Sequence, residues 1–194
     1  DTWFSSGQWP LLVLGYSGGE DWKTFHPTDV METGHDLIFK WVPRMVIFSL
    51  YLENQVPFST VYLHGLVNDA QGKKMSKSKG NVINPLDIID TFGTDALRMA
   101  LVVGNPPGSD TSLAETKIKA YKNFANKLWN ISRFVLTNTE GVNIDEKNIT
   151  AESDTILVQE LNDVATEITA DIEAYRFHLA AEKLYHYVWH RFAD

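Results

Sequence analysis

Cysteine is absent from all 194 residues, which excludes disulfides and any thiolate metal site. The six histidines fall in no ligand spacing, so a structural zinc is not expected. No apolar run approaches the roughly 18 residues of a membrane span. The opening Asp1-Thr2-Trp3-Phe4 lacks the basic-then-apolar order of a secretory signal. These absences predict a soluble, cytoplasmic protein with no membrane partner. Positive charge is also in short supply: 17 Lys and Arg stand against 25 Asp and Glu, a net charge of -8. A chain so charged does not coat nucleic acid indiscriminately, because such affinity rests on neutralising phosphates over a basic surface. Any RNA contact must be local.

What is present is ample apolar material, 44% of residues with six Trp and ten Phe, enough for one large or two small domains. Both ends read as cut. Asp1 leads straight into an aromatic segment without methionine, and Tyr187 to Phe192 is a helical pattern with no Gly or Pro stop after it.

The most distinctive stretch is Gly72-Lys73-Lys74-Met75-Ser76-Lys77-Ser78-Lys79-Gly80. Four lysines and two serines surround one apolar residue, so the segment supplies neither a buried strand nor a packed helix face and is expected to be a mobile loop. Ammonium and hydroxyl donors on a glycine-flanked backbone suit phosphate oxygens. The alternative is a solvated, charged connection.

Several other segments carry local signals. Large aromatics beside small residues in Trp3 to Pro10 either line a pocket or pack a core, with Trp3 and Trp9 as candidates. Pro27 to Met31 reads as a short strand ending at Glu32-Thr33-Gly34-His35-Asp36. From Leu37 the period becomes helical, with Leu37, Ile38, Trp41, Met45, Phe48 and Leu52 on one face. Such a strand-to-helix turn in an open α/β sheet brings backbone N–H groups and a carboxylate to the sheet's carboxyl edge, where nucleotides bind. Asp36 either accepts from a ribose hydroxyl or caps the helix. Thr60 to Leu63 reads as a second strand delivering the lysine loop to the same edge. Asn84-Pro85 opens a short helix that Gly93 stops, and Thr94 caps another that ends at Gly104.

Asn105-Pro106-Pro107-Gly108-Ser109-Asp110 is the one Pro/Gly cluster of its kind, and the domain boundary is placed there. Beyond it Ser112-Leu113-Ala114-Glu115 reads as a capping box, followed by a helix to about residue 136 with Leu113, Lys117, Tyr121, Phe124, Leu128, Ile131 and Val135 in helical register. A polar link precedes two more helices, about 153–175 and 177–192, the three forming part of an antiparallel bundle. The middle helix is acidic, with Asp154, Glu160, Asp163, Glu167, Asp171 and Glu173, and is read as a solvated face turned from any RNA.

Lys74-Met75-Ser76-Lys77-Ser78 is an intact KMSKS signature and resembles the class I aminoacyl-tRNA synthetases. Its flanks, Leu63-His64-Gly65-Leu66-Val67, Lys79-Gly80-Asn81-Val82-Ile83 and Gly93-Thr94-Asp95-Ala96-Leu97-Arg98, resemble the valyl subgroup, as do Asp1-Thr2-Trp3-Phe4-Ser5-Ser6-Gly7, Thr33-Gly34-His35-Asp36 and Asn123 to Asn130. The ordered set covers nearly the whole chain. It implies the C-terminal half of a nucleotide-binding, Rossmann-like α/β domain over 1–110, followed over 111–194 by an all-α, anticodon-binding-type domain that is part of a helical bundle.

The resemblance also implies the chemistry. Valine and ATP, which enters with Mg²⁺, give valyl-adenylate, and the valyl group passes to tRNA(Val). Lys74 and Lys77 would stabilise charge on the transferring phosphates. Gly34, Asp36, His64 and Gly65, with Met75, Ser76 and Ser78 of the signature, would hold ATP and adenylate, while Trp3, Leu37 and Trp41 would wall the valine side chain. Lys119, Lys122 and Lys127 are assigned to the tRNA, with a solvated basic face as the alternative. No protein-held metal is implied, and the resemblance suggests a monomer.

The HIGH signature of that family is not in this chain, and the inserted editing domain should precede Asp1; the piece alone is expected to be inactive and not to proofread. Pro43 falls where a helix former is expected, and the 105–110 link is longer than the family usually shows. An isoleucyl-type relative, or a truncated tRNA-binding paralogue without catalysis, are the competing readings.

Overall fold

The computed structural model describes residues 2–16, 18–142 and 151–193. It is a mixed α/β and helical chain that separates into two units, one drawn from Asp1–Leu66 with Pro107–Asp110, the other from Val67–Pro106 with Thr111–Asp194.

In the first unit, strand β1 (Thr28–Gly34) runs parallel to β2 (Phe58–His64), with Thr28 opposite Phe58 and Gly34 opposite His64. Parallel strands need a crossover, which helix α4 (Val42–Glu53) provides. Pro43 sits in the first turn of α4, where its missing N–H costs nothing. The helix therefore begins about five residues later than its periodicity suggests. Asn54 ends it in the left-handed region at φ 55°, a conformation Asn tolerates.

Val42, Met45 and Phe58 form the buried core of this βαβ unit, with Met31, Ile38, Trp41, Val46 and Val61 packed around them. Leu52, expected on that face, is exposed, because starting at Val42 turns the packed stripe toward Met45 and Ser49. Two short helices, α1 (Thr2–Gly7) and α2 (Trp9–Leu12), lie against α4. Leu11 is buried there, while Trp9 is exposed. A further short helix, α3 (Glu20–Phe25), precedes β1.

The second unit starts with β3 (Val67–Asn68), which pairs in parallel with β4 (Thr111–Ser112). Between them lie the lysine loop and helices α5 (Pro85–Phe92) and α6 (Thr94–Val102). Asn84 caps α5 as its sequence predicts, accepting the amide of Leu86 at 3.2 Å, and Gly93 ends it at φ 93°. Thr94 lies inside α6 and does not cap it; Gly93 occupies that position.

Helix α7 (Glu115–Asn138) follows β4. The expected capping box does not form, because Ser112 belongs to β4, the Leu113 amide donates to Asn68 O at 3.1 Å, and Ala114 is left at the N-cap. Ile88, Ala96, Leu97, Ala100, Leu113 and Ile118 make one core of this unit. Helices α8 (Glu152–Glu173) and α9 (Phe177–Tyr187), with a π-helical turn at Val188–Phe192, make the rest. Phe124 of α7 packs there on Tyr187 and Val188, beside Val164 of α8. Leu128 and Val135 of α7, placed on the buried face by periodicity, are exposed. Most of the polar link before α8 lies outside the described residues.

The acidic side of α8 is not simply solvated. Asp171 is 3% exposed. It accepts Arg176 Nε at 2.8 Å and lies 2.9 Å from Lys183 Nζ. Glu167 pairs with Lys183, and Glu160 with Arg191. These pairs fasten α8 to α9 and its π-helical end. Among the described residues no helix is long and apolar enough to cross a membrane.

Candidate functional site

The site residues of the first unit gather at the carboxyl ends of β1 and β2, the edge where open α/β sheets bind ligands. Gly34 and His64 are register partners there. A Cβ on Gly34 would stand 3.0 Å from Asp36 Oδ1 and 3.6 Å from His64 Cε1, so the bare glycine lets a carboxylate and an imidazole approach the strand end. Asp36 lies within a single 3₁₀ turn, His35–Leu37, and stays exposed. It does not cap α4, whose N-cap is Trp41. His64 Nδ1 donates to Gly65 O at 2.8 Å, and its Nε2 lies 3.3 Å from Glu32 Oε1.

The Pro/Gly-rich stretch after α6 folds back onto this edge. Gly108 N donates to Leu63 O at 2.8 Å. Asp110 Oδ1 accepts both the Leu66 amide at 2.8 Å and His35 Nε2 at 2.9 Å. Asp110 is a residue the sequence reading missed. By sequence it falls in the linker, and nothing local marks a carboxylate that finds its donors 44 and 75 positions away.

The three residues assigned to an amino-acid pocket also lie in the first unit. Trp41 is half-buried and donates its indole N–H to Ser6 O at 2.9 Å, which fixes α1 against the start of α4. Trp3 carries the Arg44 guanidinium 4.2 Å above its ring. Leu37 is half-buried in the 3₁₀ turn.

The lysine loop belongs to the second unit, and its backbone is shaped by hydrogen bonds within the loop. Asn68 forms an antiparallel bridge with Lys74, Asp69 N donates to Lys73 O at 2.9 Å, and Lys77–Lys79 forms a 3₁₀ turn that Gly80 ends at φ 67°. Asp69 is buried and accepts the amides of Gln71 and Lys73. Asn81 donates to its other oxygen at 2.8 Å and accepts the Ser76 amide at 2.9 Å. The Asn81 carboxamide, then the Lys73 amide, hold the Asp69 carboxyl below its ordinary range against the opposing effect of burial. Met75 is half-buried, and its sulfur accepts the Ile83 amide at 3.3 Å. Ser76 and Ser78 share a hydroxyl contact at 3.2 Å. Lys74 and Lys77 remain exposed, with no ion pair among the described residues.

Neither Asp69 nor Asn81 was singled out from sequence, although an Asp whose side chain serves amides two and four residues on is the signature of an Asx-type turn. Of the three α7 lysines, Lys119 is exposed. Lys122 Nζ donates to Thr91 O at 2.9 Å. Lys127 Nζ donates to Trp189 O at 3.3 Å and lies 4.7 Å over the Trp189 ring. No group of three or more metal-ligating side chains occurs among the described residues.

Residues 1–114 match the family model of tRNA synthetases class I (I, L, M and V), and residues 154–194 match that of the anticodon-binding domain of tRNA ligases. The chain is similar to the valine--tRNA ligase of Clostridium acetobutylicum, at 47% identity over all of this chain and 22% of that protein. It is similar also to the valine--tRNA ligase of Dehalococcoides mccartyi strain CBDB1, at 48% identity with coverage of 100% and 22%. It thus spans about a fifth of the length of the curated relatives it matches. A LeuRS of Agrobacterium radiobacter K84, solved in ternary complex with tRNA and LeuAMS, superposes with a TM-score of 0.85 at 22% identity, covering 94% of this chain and 25% of that one. At that identity the likeness is one of fold.

Proposed function

The chain belongs to the class I tRNA synthetases (I, L, M and V), and from that premise we propose that it is part of a valine-tRNA ligase. The parent protein joins the valine carboxylate to the α-phosphate of ATP, giving valyl-adenylate and pyrophosphate, and passes the valyl group to tRNA(Val) with release of AMP. The observation that carries this reading is the lysine loop: its backbone is pinned by internal hydrogen bonds while Lys74 and Lys77 keep their ammonium groups exposed and unpaired. Cations held ready on a fixed backbone cost little reorganisation when negative charge develops on a phosphate, which is how electrostatic stabilisation contributes to phosphoryl-type transfers.

In this reading Lys74 and Lys77 neutralise charge on the transferring phosphate and departing pyrophosphate, with Met75, Ser76 and Ser78 shaping the loop around them. Gly34 and Asp36 take the ribose, Asp36 through its exposed carboxylate. His64 and Gly65 hold the adenine, and Trp3, Leu37 and Trp41 wall the valine side chain. Mg²⁺ arrives with ATP and offsets phosphate charge; no side chain of this piece is assigned to it. Residues 1–110 form the later half of a Rossmann-like catalytic domain, a reading supported by the parallel β1–α4–β2 unit. Residues 111–194 open the anticodon-binding domain, and Lys119 leads the basic side offered to tRNA. The parent works as a cytoplasmic monomer.

Amino-acid-dependent exchange of pyrophosphate into ATP by the full-length parent tests the proposal. Valine is expected to support exchange far better than isoleucine, leucine or methionine. Exchange that is strongest with another amino acid, or absent with all four, overturns it.

A further inference from the structure

Asp69 stands out in the second unit as a buried carboxylate, 7% exposed, whose partners are backbone amides and a carboxamide rather than an ammonium group. A carboxylate taken out of water without compensation is costly. Here Oδ1 accepts Gln71 N at 3.0 Å and Lys73 N at 2.8 Å, and Oδ2 accepts Asn81 Nδ2 at 2.8 Å. Asn81 passes the restraint onward, since its Oδ1 accepts Ser76 N at 2.9 Å and its Nδ2 also reaches Lys74 O at 3.3 Å. Two side chains thus fix the backbone on both sides of Lys74 and Met75. The hydrogen bonds of the carboxylate go to peptide groups and a carboxamide, and of the loop's lysines Lys73, not Lys74 or Lys77, adds a charge interaction with it.

We propose that Asp69 and Asn81 are positioning residues that act as a pair, holding the loop's peptide backbone so that Lys74 and Lys77 project into fixed places before a polyphosphate binds. The inference rests on the adenylate-forming reading above. It assigns no contact between either residue and substrate. Asp69 serves Lys73 directly, and Asn81 serves Lys74 and Ser76, so breaking the link between them frees the loop at the point where its first catalytic lysine leaves the backbone.

The hydrogen-bond pattern makes a specific test possible. In Asp69→Asn the new amide would face the Asn81 amide, donor to donor. In Asn81→Asp two carboxylates would meet. In the double exchange, Asp69→Asn with Asn81→Asp, the amide at 69 donates to the carboxylate at 81, which still accepts Ser76 N; only the long bond to Lys74 O is lost. A double-mutant cycle isolates the pair from its surroundings.

The experiment uses the full-length enzyme at a temperature where all four forms are folded, with two readouts. One is the single-turnover rate constant for valyl-adenylate formation at saturating ATP and valine; the other is the rate of trypsin cleavage within residues 73–79. Each single variant is expected to slow adenylate formation about ten- to a hundredfold, the scale of one lost hydrogen bond to a charged group, with the KM for valine unchanged and loop cleavage faster by a similar factor. The double exchange is expected to recover at least tenfold in both. A single variant with the parent's rate constant, or a double exchange no better than the worse single, overturns the pairing. Faster cleavage with undiminished adenylate formation overturns the positioning role. If the parent enzyme itself supports no valine-dependent exchange, it is the adenylate-forming reading that fails, and the cleavage rates alone then decide whether the pair holds the loop.

Discussion

The carbonyl oxygen of Ser109 occupies the place where a side chain on Gly65 would begin: a Cβ there would lie 1.7 Å from it. The approach is locked from both sides, by Gly108 N on Leu63 O and by Asp110 Oδ1 on the Leu66 amide. The obstructing atom is backbone, so no rotamer change relieves the clash. Gly65→Ala is therefore expected to cost about 1–3 kcal/mol or more through forced backbone movement, and to disturb the His64 end of β2. Denaturant unfolding of the full-length protein checks this. A midpoint equal to the parent's means the 108–110 segment yields without cost.

Lys77→Ala in the full-length enzyme is expected to raise the barrier to adenylate formation by about 2.7–4 kcal/mol, the effect of deleting one pre-aligned electrostatic stabiliser. Valine affinity should be nearly unchanged. Lys77 pairs with no carboxylate among the described residues, so stability should not fall either. Single-turnover activation kinetics and equilibrium valine binding separate the two effects, and an unchanged rate constant removes Lys77 from the chemistry.

The three lysines of α7 are expected to behave differently from one another. Lys119→Ala should weaken tRNA binding and make the slope of log affinity against log salt shallower by about 0.7–0.9, the value for one phosphate contact, with no change in Tm. Lys122→Ala and Lys127→Ala remove donors to the Thr91 and Trp189 carbonyls, and should lower Tm. Salt-titrated tRNA binding alongside thermal melts distinguishes them. Equal slopes for Lys119→Ala and the parent return that side chain to solvent.

Acid should loosen α8 from α9 in a narrow range. Lys183 first, then Arg176, hold the Asp171 carboxyl below its ordinary value of 3.8. A group whose pKa is lower in the folded state contributes fully above its unfolded value, and that contribution fades as pH falls through the folded one. Stability from this cluster is thus expected to be flat from neutral pH down to about 4 and to fall below it. Lys183 is shifted the other way, above 10.5, by the same carboxylate and Glu167, so its share persists to strongly alkaline pH. Asp171→Asn should lower neutral-pH stability and flatten the acid limb of a circular-dichroism titration. An acid limb identical to the parent's assigns the loss to other carboxylates.

Punctuation residues made much of the fold legible. Asn84-Pro85 and Gly93 bracket α5 as their backbone chemistry requires, and the β-branched run after Phe58 is β2. Pro43 carried information that periodicity obscured: it marks the first turn of α4, and with that shift the buried stripe passes through Val42 and Met45 and leaves Leu52 exposed. The exposed apolar residues of α7 show the same limit from the other side, since a helical repeat defines a face without saying what covers it.

By itself the sequence determined the residue types of the lysine loop, the glycine and carboxylate at the end of β1, and the order of β1, α4, β2 and the helices from α5 onward, because each depends on residue type and spacing within a few positions. Tertiary structure alone decided that Gly34 stands opposite His64, that Ser109 fills the space above Gly65, that Asp69 and Asp171 are buried, and that Lys122 and Lys127 turn inward while Lys119 does not. The physical reason is the same in each case. Burial and hydrogen-bond partnership are properties of pairs, and when the two members lie tens of residues apart, or on opposite sides of a loop that must first close, neither carries the other's address in its own neighbourhood.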